Sequence, residues 1–95
     1  MNHYASPSFW AAYRELPQAV RERADGSYDL LKRSPAHPSL HFKKVDRYWS
    51  ARVGRRHRAL AVEVDGGLLW FWIGSHAAYD RIIGRGQPAP RGRSS

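Results

Sequence analysis

Residues 48–83 read YWSARVGRRHRALAVEVDGGLLWFWIGSHAAYDRII, and this stretch decides the fold. Polar and apolar side chains alternate over 48–53 and again over 58–65, as in strands with one buried face. The basic residues 54–57 form a tight turn between them, and Asp-Gly-Gly at 65–67 is a strong hairpin signal. Because 68–73 is apolar on both faces, it is typical of a central or covered strand. The stretch therefore predicts two consecutive hairpins in a twisted antiparallel sheet.

The loop lengths predict which side chains share a face of this sheet. An even-length loop at 66–67 pairs Val64 with Leu69, and an even-length loop at 54–57 pairs Val53 with Arg58. One face is then an apolar floor for helices: Trp49, Ala51, Val53, Leu60, Val62, Val64, Leu69, Phe71 and Ile73. The other face is mixed in a way that packing does not require: Tyr48, Ser50, Arg52, Ala59, Ala61, Glu63, Trp70 and Trp72. This register puts Arg58 on the apolar face unless the turn contains a bulge.

The first third of the chain predicts two helices. Ser6-Pro7 is a helix start, with Ser as the N-cap and Pro in the first helical position. The pair at 16–17 is Leu-Pro, which ends that helix because the residue before Pro avoids helical backbone angles. A second helix follows and ends near Arg33. We expect the two helices to form a hairpin that packs on one face of the sheet.

The remaining segments complete an α+β domain. A short strand is predicted over 40–45, and Gly74 ends the last strand. Ser75 then caps a short C-terminal helix. We expect one domain over residues 1–83 and a disordered Gly/Pro/Arg tail over 84–95, which is too polar to form a core.

Composition excludes several classes of protein. The 95 residues contain no Cys, so disulfides, a thiolate zinc site and a cysteine nucleophile are excluded. The five His are scattered without the spacing of metal ligands, and we expect neither a metal nor another cofactor. No apolar run approaches the length of a membrane span, and no signal peptide follows the first Met. We therefore expect a soluble, cytoplasmic protein.

The net charge of +8 is concentrated in one segment. Residues 32–58 hold nine basic residues against a single acid, whereas the flanking segments are nearly neutral. Such a focused patch indicates a polyanion partner, with nucleic acid first and an acidic protein second. The third interpretation is a solvated surface without a partner. The basic residues are Lys32, Arg33, Lys43, Lys44, Arg47, Arg52, Arg55, Arg56 and Arg58.

A metal-free polyanion site can cleave RNA, because the 2′-hydroxyl of RNA can attack the adjacent phosphate. The reaction needs a base near the 2′-oxygen, cations around the phosphorane and an acid for the leaving 5′-oxygen. Arg and Lys supply charge, His supplies acid–base chemistry, and aromatic side chains hold unstacked bases. The acid–base candidates are His41, His57, His76 and Glu63. The candidate platforms are Tyr48, Tyr79, Trp70 and Trp72, although both Trp residues also suit simple packing.

The ordered set of segments resembles the RelE/ParE superfamily of bacterial type II toxin–antitoxin toxins. The matching pieces are Lys43-Lys44-Val45, YWSARVG at 48–54, HRAL at 57–60 and GSHAAY at 74–79. The resemblance implies helices on one face of a RelE-like sheet and an active site on the other. It also implies a small acidic antitoxin as partner. RelE-like members cleave messenger RNA, usually on the ribosome, whereas ParE-like members inhibit DNA gyrase.

The resemblance implies roles for individual residues. Arg58 matches the arginine that contacts the scissile phosphate, and Lys44 or His41 would lie near the 2′-hydroxyl. His76 would be the acid and Tyr79 would position the substrate, although their spacing differs from members that end in an adjacent His-Tyr pair. The implied catalytic set is Lys44, Arg58, His76 and Tyr79. The implied phosphate-binding set is Lys43, Arg52, Arg55, Arg56 and His57.

The sequence thus predicts a toxin that is an endoribonuclease, or mRNA interferase, with mRNA as its substrate and the ribosome as a partner, cleaving either on the ribosome or free of it. Two alternatives stay open. One is a ParE-like inhibitor of DNA gyrase, which shares the fold and the antitoxin. The other is a basic nucleic-acid-binding module without catalytic activity.

Overall fold

The computed structural model describes residues 2–84, which form an α+β domain built on one five-stranded sheet. The element order is β1 (Asn2–Ala5), α1 (Pro7–Arg14), α2 (Gln18–Arg33), β2 (Lys43–Val45), β3 (Tyr48–Val53), β4 (His57–Val64), β5 (Gly67–Ser75) and α3 (His76–Ile83). The strand order is β1-β5-β4-β3-β2, antiparallel except that β1 runs parallel to β5. The predicted fold class is confirmed, and the tail predicted to be disordered lies, from residue 85 on, outside the described residues.

The two N-terminal helices begin and end where the sequence predicts. Ser6 Oγ accepts a hydrogen bond from the Phe9 backbone N–H at 3.2 Å and so caps α1. Helix α1 packs on β5 and α2 packs on β3. An apolar cleft of about 330 Å³ lies between the helices and above the sheet. The helices therefore cover the same face of the sheet without closing over it.

The β3–β4 hairpin has a register different from the predicted one. Val53 pairs with His57 and Arg52 pairs with Arg58, so the loop is the three residues 54–56. The predicted pairing of Val53 with Arg58 is wrong. Gly54 adopts a φ of 65°, a left-handed conformation that lets the chain turn in three residues. The odd loop length moves Arg58 to the face that carries Arg52.

The β4–β5 hairpin also differs from the prediction. Val64 pairs with Gly67 across a tight turn at 65–66, where Gly66 has a φ of 81°. The predicted pairing of Val64 with Leu69 is wrong. Farther along, Ala61 opposes Trp70 but Leu60 opposes Trp72, which leaves Phe71 as an extra residue. This β-bulge reverses the alternation of side chains along β5.

These two registers exchange several side chains between the faces of the sheet. The helix-facing side carries Trp49, Ala51, Val53, Ala59, Ala61, Leu68, Trp70 and Ile73. The prediction is therefore confirmed for β3 and for Ile73. It is wrong for Leu60, Val62, Val64, Leu69 and Phe71, which lie on the opposite side, and for Ala59, Ala61 and Trp70, which belong to the core. None of the helices between residues 2 and 84 has the length and apolarity needed to cross a membrane.

Candidate functional site

Helix α3 covers part of the sheet face opposite α1 and α2. Ser75 Oγ caps it by accepting a hydrogen bond from the Ala78 N–H at 3.1 Å, as the sequence predicts. Tyr79 is only 2% exposed and Leu60 is fully buried. Gly74 does not end β5 as predicted, because β5 continues to Ser75. Apolar packing thus fixes α3 beside the ends of β4 and β5.

Two arginines lie side by side on this face, next to α3. Arg52 and Arg58 are direct cross-strand partners, where like charges repel each other. The Arg52 Nε–H donates to the Gly54 carbonyl at 2.8 Å, and Arg52 Nη1 lies 3.3 Å from His41 Nε2. The Arg58 Nε–H donates to His76 Nδ1 at 3.4 Å. We call His41, Arg52, Arg58 and His76 the His/Arg row.

Arg58 is held by more than its contact with His76. Its guanidinium carbon lies 5.2 Å from the centre of the Tyr79 ring, within cation–π range. Its Nη1 atom is buried and has no hydrogen-bond partner. Ser50 Oγ, on the same face, is also buried without a partner. Because buried polar groups in proteins are nearly always paired, these two atoms are exceptions among the described residues.

The contact with Arg58 determines where His76 carries its proton. A guanidinium can only donate hydrogen bonds, so His76 Nδ1 must be the unprotonated nitrogen in this arrangement. The neutral ring then carries its proton on Nε2, which lies 3.4 Å from Asp80 Oδ2. Asp80 was not among the predicted site residues. Its spacing of four from a histidine on the same helix is the sequence signal that identifies it.

The two adjacent lysines of β2 lie on opposite sides of the sheet. Lys43 pairs with Ser50 and lies on the side of the His/Arg row. Lys44 pairs with Trp49 on the helix-facing side, and its Nζ lies 3.3 Å from Glu63 Oε2. The hydrogen bond from Trp49 Nε1, at 2.8 Å, and the charge of Lys44 lower the pKa of Glu63. The structure therefore does not bring Lys44 to the row.

The predicted residues of the β3–β4 turn are divided in the same way. Arg55 and Arg56 are exposed in the loop, and the Arg56 carbonyl accepts a hydrogen bond from the His76 backbone N–H at 2.6 Å. His57 pairs with Val53 and faces the helices. Burial, and then the positive charge of Arg23, lower the pKa of His57. The loop thus adds charge beside the row, but His57 lies on the other side.

The Tyr79 ring packs against the Arg58 guanidinium and does not present a free surface. Its ring is stacked with the His76 ring at 5.7 Å between centroids, and it is almost completely buried. A nucleobase cannot stack on a ring that is already covered. Trp72 is half-buried on the same side and its ring lies over Gly74, the strand partner of Arg58. Trp72 is therefore an aromatic side chain on the side of the row that still has an exposed part.

The chemistry of the row is that of acid–base groups beside fixed cations. Two imidazoles flank two guanidiniums, which suits proton transfer around a bound phosphate. Across the described part of the chain, no three His, Asp or Glu side chains are grouped as a metal site.

Comparison with known proteins identifies the family of this chain. Residues 18–81 match the ParE-like toxin domain family. Among curated proteins there is no significant match.

Solved toxin structures have the same fold. A chain of the RelB–RelE antitoxin–toxin complex from Methanococcus jannaschii superposes with a TM-score of 0.64 at 17% identity, covering 82% of this chain and 96% of that chain. The YoeB/ParE toxin from Agrobacterium tumefaciens superposes with a TM-score of 0.61 at 20% identity, covering 80% of this chain and 99% of that chain. YafQ from E. coli superposes with a TM-score of 0.62 at 16% identity, covering 82% of this chain and 96% of that chain. The chain belongs to the ParE-like toxin domain family.

Proposed function

We propose that this toxin is a metal-independent endoribonuclease that cleaves messenger RNA, on the ribosome or free. The observation that carries the proposal is the His/Arg row, in which two imidazoles flank two guanidiniums on the open side of the sheet. An acid, a base and paired cations are what cleavage by the 2′-hydroxyl needs. A gyrase inhibitor or an inert binding module does not require an acid and a base in this arrangement.

In the proposed reaction His41 is the base and His76 is the acid. His41 Nε2 takes the proton of the 2′-hydroxyl, and the 2′-oxygen forms a bond to phosphorus. The bond from phosphorus to the 5′-oxygen breaks, and protonated His76 gives its proton to that oxygen. The products are a 2′,3′-cyclic phosphate and a free 5′-hydroxyl, so no water or metal is consumed. His41 replaces Lys44 as the preferred base because Lys44 is paired with Glu63 on the other side of the sheet.

Arg52 and Arg58 bind the scissile phosphate in this proposal. The support is the buried Nη1 of Arg58, which has no acceptor; a phosphate oxygen would supply one when the guanidinium turns outward. Two adjacent guanidiniums repel each other, and a phosphate between them removes that repulsion. Lys43 and the exposed Arg55 and Arg56 extend the positive surface along the RNA.

Expression of Arg58→Ala in growing bacteria tests the proposal. Primer extension on cellular messages should reveal cuts with the wild-type protein and at least about 100-fold fewer with the variant, because an electrostatic contact made to the reacting group is lost. Arg14→Ala is the control, since it removes the same charge from α1 on the other layer. Cuts in phase with the reading frame indicate the ribosome as the site of action. Undiminished cleavage by Arg58→Ala would contradict the proposed site.

Inhibition of DNA gyrase is the second candidate, because the matched family is ParE-like. In the same cells, intact messages together with an SOS response would identify gyrase as the target. Intact messages without an SOS response would leave the basic binding module.

We also propose that a small acidic antitoxin binds this toxin. The M. jannaschii relative was solved in an antitoxin–toxin complex. The surface that we assign to the antitoxin is the apolar cleft between α1 and α2, whose rim exposes Tyr4, Trp10 and Tyr28 by 42–45%. Large exposed aromatics around an apolar cleft are typical of protein interfaces. The protein encoded beside the toxin gene should lose affinity for Trp10→Asp, while the growth arrest caused by this variant alone persists.

A further inference from the structure

We propose that the rings of Tyr48 and Phe71 form a stacking platform for one unpaired base of the RNA, close to the cleaved bond but not at it. This assignment rests on the proposed function, because it adds a contact that the same substrate makes outside the His/Arg row. The two rings form an aromatic pair on the row side of the sheet. Their centres lie 5.6 Å apart, and their planes are inclined by 50°.

The backbone brings the two rings together from strands that are not neighbours. Tyr48 alternates in phase with Arg52 along β3 and therefore lies on the row side. The β-bulge places Phe71 beside Trp72 on that side of β5, and the Ser8 hydroxyl fixes the extra residue by donating to the Phe71 carbonyl at 2.7 Å. Strand β4 lies between β3 and β5, so the two rings meet above it.

The pair has ring surface that a base can reach. Tyr48 and Phe71 are both partly exposed, and Val64 near the end of the same face is 39% exposed. Because the two rings are inclined, neither covers the face of the other. Tyr79 differs in this respect, since it is 2% exposed under α3. The pair is therefore suited to stacking on a base, as unpaired bases in RNA complexes do on aromatic side chains.

Positive charge surrounds the pair. The Arg47 guanidinium carbon lies 5.4 Å from the centre of the Tyr48 ring, and its Nη2 donates to the Tyr48 hydroxyl at 3.3 Å. Lys43 is exposed on the same side, opposite the residue that separates Tyr48 from Arg52. Asp46 is the single acid of the basic segment 32–58. Aromatic rings beside cations are the combination that binds single-stranded nucleic acid.

The position of the platform defines what it contributes. Tyr48 and Arg52 are four residues apart on one strand, about 13 Å at about 3.3 Å per residue. A base stacked on Tyr48 therefore belongs to a nucleotide near the scissile phosphate, and the ring does not touch the reacting atoms. Such a contact is equally strong before and during the reaction, so it raises affinity and leaves the chemical step unchanged. Lys43 lies between the two positions and suits the phosphate that joins them.

Fluorescence anisotropy with a 2′-O-methyl RNA oligonucleotide, which cannot be cleaved by its own 2′-hydroxyl, tests the platform in the full chain. Tyr48→Ala should weaken binding at least about fivefold, the loss expected for one stacked base. Tyr48→Leu should weaken it as well, because Leu keeps apolar bulk but has no ring face, and Tyr48→Phe should bind like the wild type. Wild-type affinity in Tyr48→Leu would overturn the proposal.

Tyr28→Ala is the matched control, measured without antitoxin. Tyr28 is an exposed tyrosine of α2 with a cation over its ring, since Lys32 Nζ lies 4.4 Å from the ring centre. Its removal should leave RNA affinity unchanged, because it lies on the helix side. Equal losses in Tyr28→Ala and Tyr48→Ala would overturn the proposal. So would normal RNA affinity in Tyr48→Ala with lost binding to the protein encoded beside the toxin gene, which would assign the two rings to that protein.

Oligonucleotides that lack one base locate the contact. Removing the base at one position should weaken binding to the wild type at least about fivefold and should have much less effect on Tyr48→Ala, because the stack is already lost there. The same losses in both proteins at every position would show that Tyr48 holds no base and would overturn the proposal.

Single-turnover cleavage separates the platform from the proposed function. At saturating protein, Tyr48→Ala should cleave within about threefold of the wild-type rate, whereas the protein concentration needed for half the maximal rate should rise at least about fivefold. A wild type that cleaves while Tyr48→Ala binds and cleaves identically refutes the platform and leaves the nuclease standing. A wild type that never cleaves refutes the nuclease, and the binding data with uncleavable RNA still decide the role of Tyr48.

Discussion

At the scale of single residues, the side of the sheet decides what a side chain can do. Lys43 and Lys44 are neighbours in sequence, yet only Lys43 lies on the side of the His/Arg row. The same holds for His57 and Arg58, which point to opposite sides of β4. The two adjacent lysines therefore differ: Lys44 is a salt-bridge partner of Glu63, and Lys43 is a candidate phosphate ligand.

His41 and Lys44 are the two candidate bases, and they should respond differently to truncation. His41→Ala should lower the rate of RNA cleavage about 100-fold or more, the usual contribution of general acid–base catalysis. Lys44→Ala should change the rate less than about threefold, because Lys44 pairs with Glu63 on the other side. Single-turnover cleavage of one labelled RNA by both variants measures this. The opposite ranking would assign the base to Lys44.

His57 should make the stability of the fold depend on pH. Burial and Arg23 lower its pKa in the folded protein below the ordinary value of 6.5. Between the two pKa values the unfolded chain binds more protons, so stability rises with pH there. The contribution of His57 to the free energy of unfolding is complete above about pH 6.5, and it is lost as the pH falls through the pKa of His57 in the folded protein. Urea titrations at pH 7 and pH 5 should show a smaller loss for His57→Gln than for the wild type; equal losses would exclude His57 as the cause.

At the scale of elements, two short turns and one bulge create the site. The three-residue loop at 54–56 puts Arg58 beside Arg52, and the extra residue Phe71 restores Ile73 to the core. A change of one residue in either register would turn these side chains to the other face. The site thus depends on backbone geometry several residues away from the arginines.

Gly74 is required by the ring that covers it. A Cβ atom at this position would collide with Trp72 Cζ2, whereas a Cβ on Gly26 in helix α2 would meet nothing within 4 Å. Gly74→Ala should lower the free energy of unfolding by about 1–3 kcal/mol through overpacking. Gly26→Ala is the control and should raise it by about 0.5–1 kcal/mol, since Ala is a better helix former. Chemical denaturation of both variants measures these changes in the free energy of unfolding. An unchanged free energy for Gly74→Ala would mean that the Trp72 ring moves aside freely.

The helices, the strands β2 to β5 and the fold class could be predicted because their signals are local. Ser6-Pro7 and Leu16-Pro17 set helix ends directly through backbone chemistry. The register could not be predicted, because the turn at 54–56 and the bulge at Phe71 depend on long-range packing that no short pattern encodes. The basic residues were identified, but their partition between the two faces required the register.

At the scale of the whole molecule, the two sides of the sheet have different surfaces. The helix side has an apolar cleft with exposed aromatic residues at its rim, and the other side has the His/Arg row. One small domain thus carries two surfaces suited to different partners. Seven of the nine basic residues between 32 and 58 lie in β2, β3, β4 and their connections, at one edge of the sheet, and the other two end α2.

Binding of single-stranded RNA should depend on salt through this charge. Each phosphate neutralised by a cation contributes about −0.7 to the slope of log K against log salt concentration. Arg58→Ala should reduce the magnitude of the slope by roughly that amount. Arg14→Ala removes the same charge from α1 and should leave the slope unchanged. Fluorescence anisotropy over a salt series measures both, and equal slopes for the two variants would place the RNA elsewhere.

The parallel pairing of β1 with β5 has a consequence for the order of folding during synthesis. Asn2 pairs with Gly67 and Ala5 with Trp70, so the first strand made finds its partner only when the last strand has been made. Closing such a distant contact is slow compared with forming local hairpins. His76 and Asp80 leave the ribosome later still. A nascent chain therefore carries its arginines well before it has His76, and it cannot complete the His/Arg row until α3 has been translated.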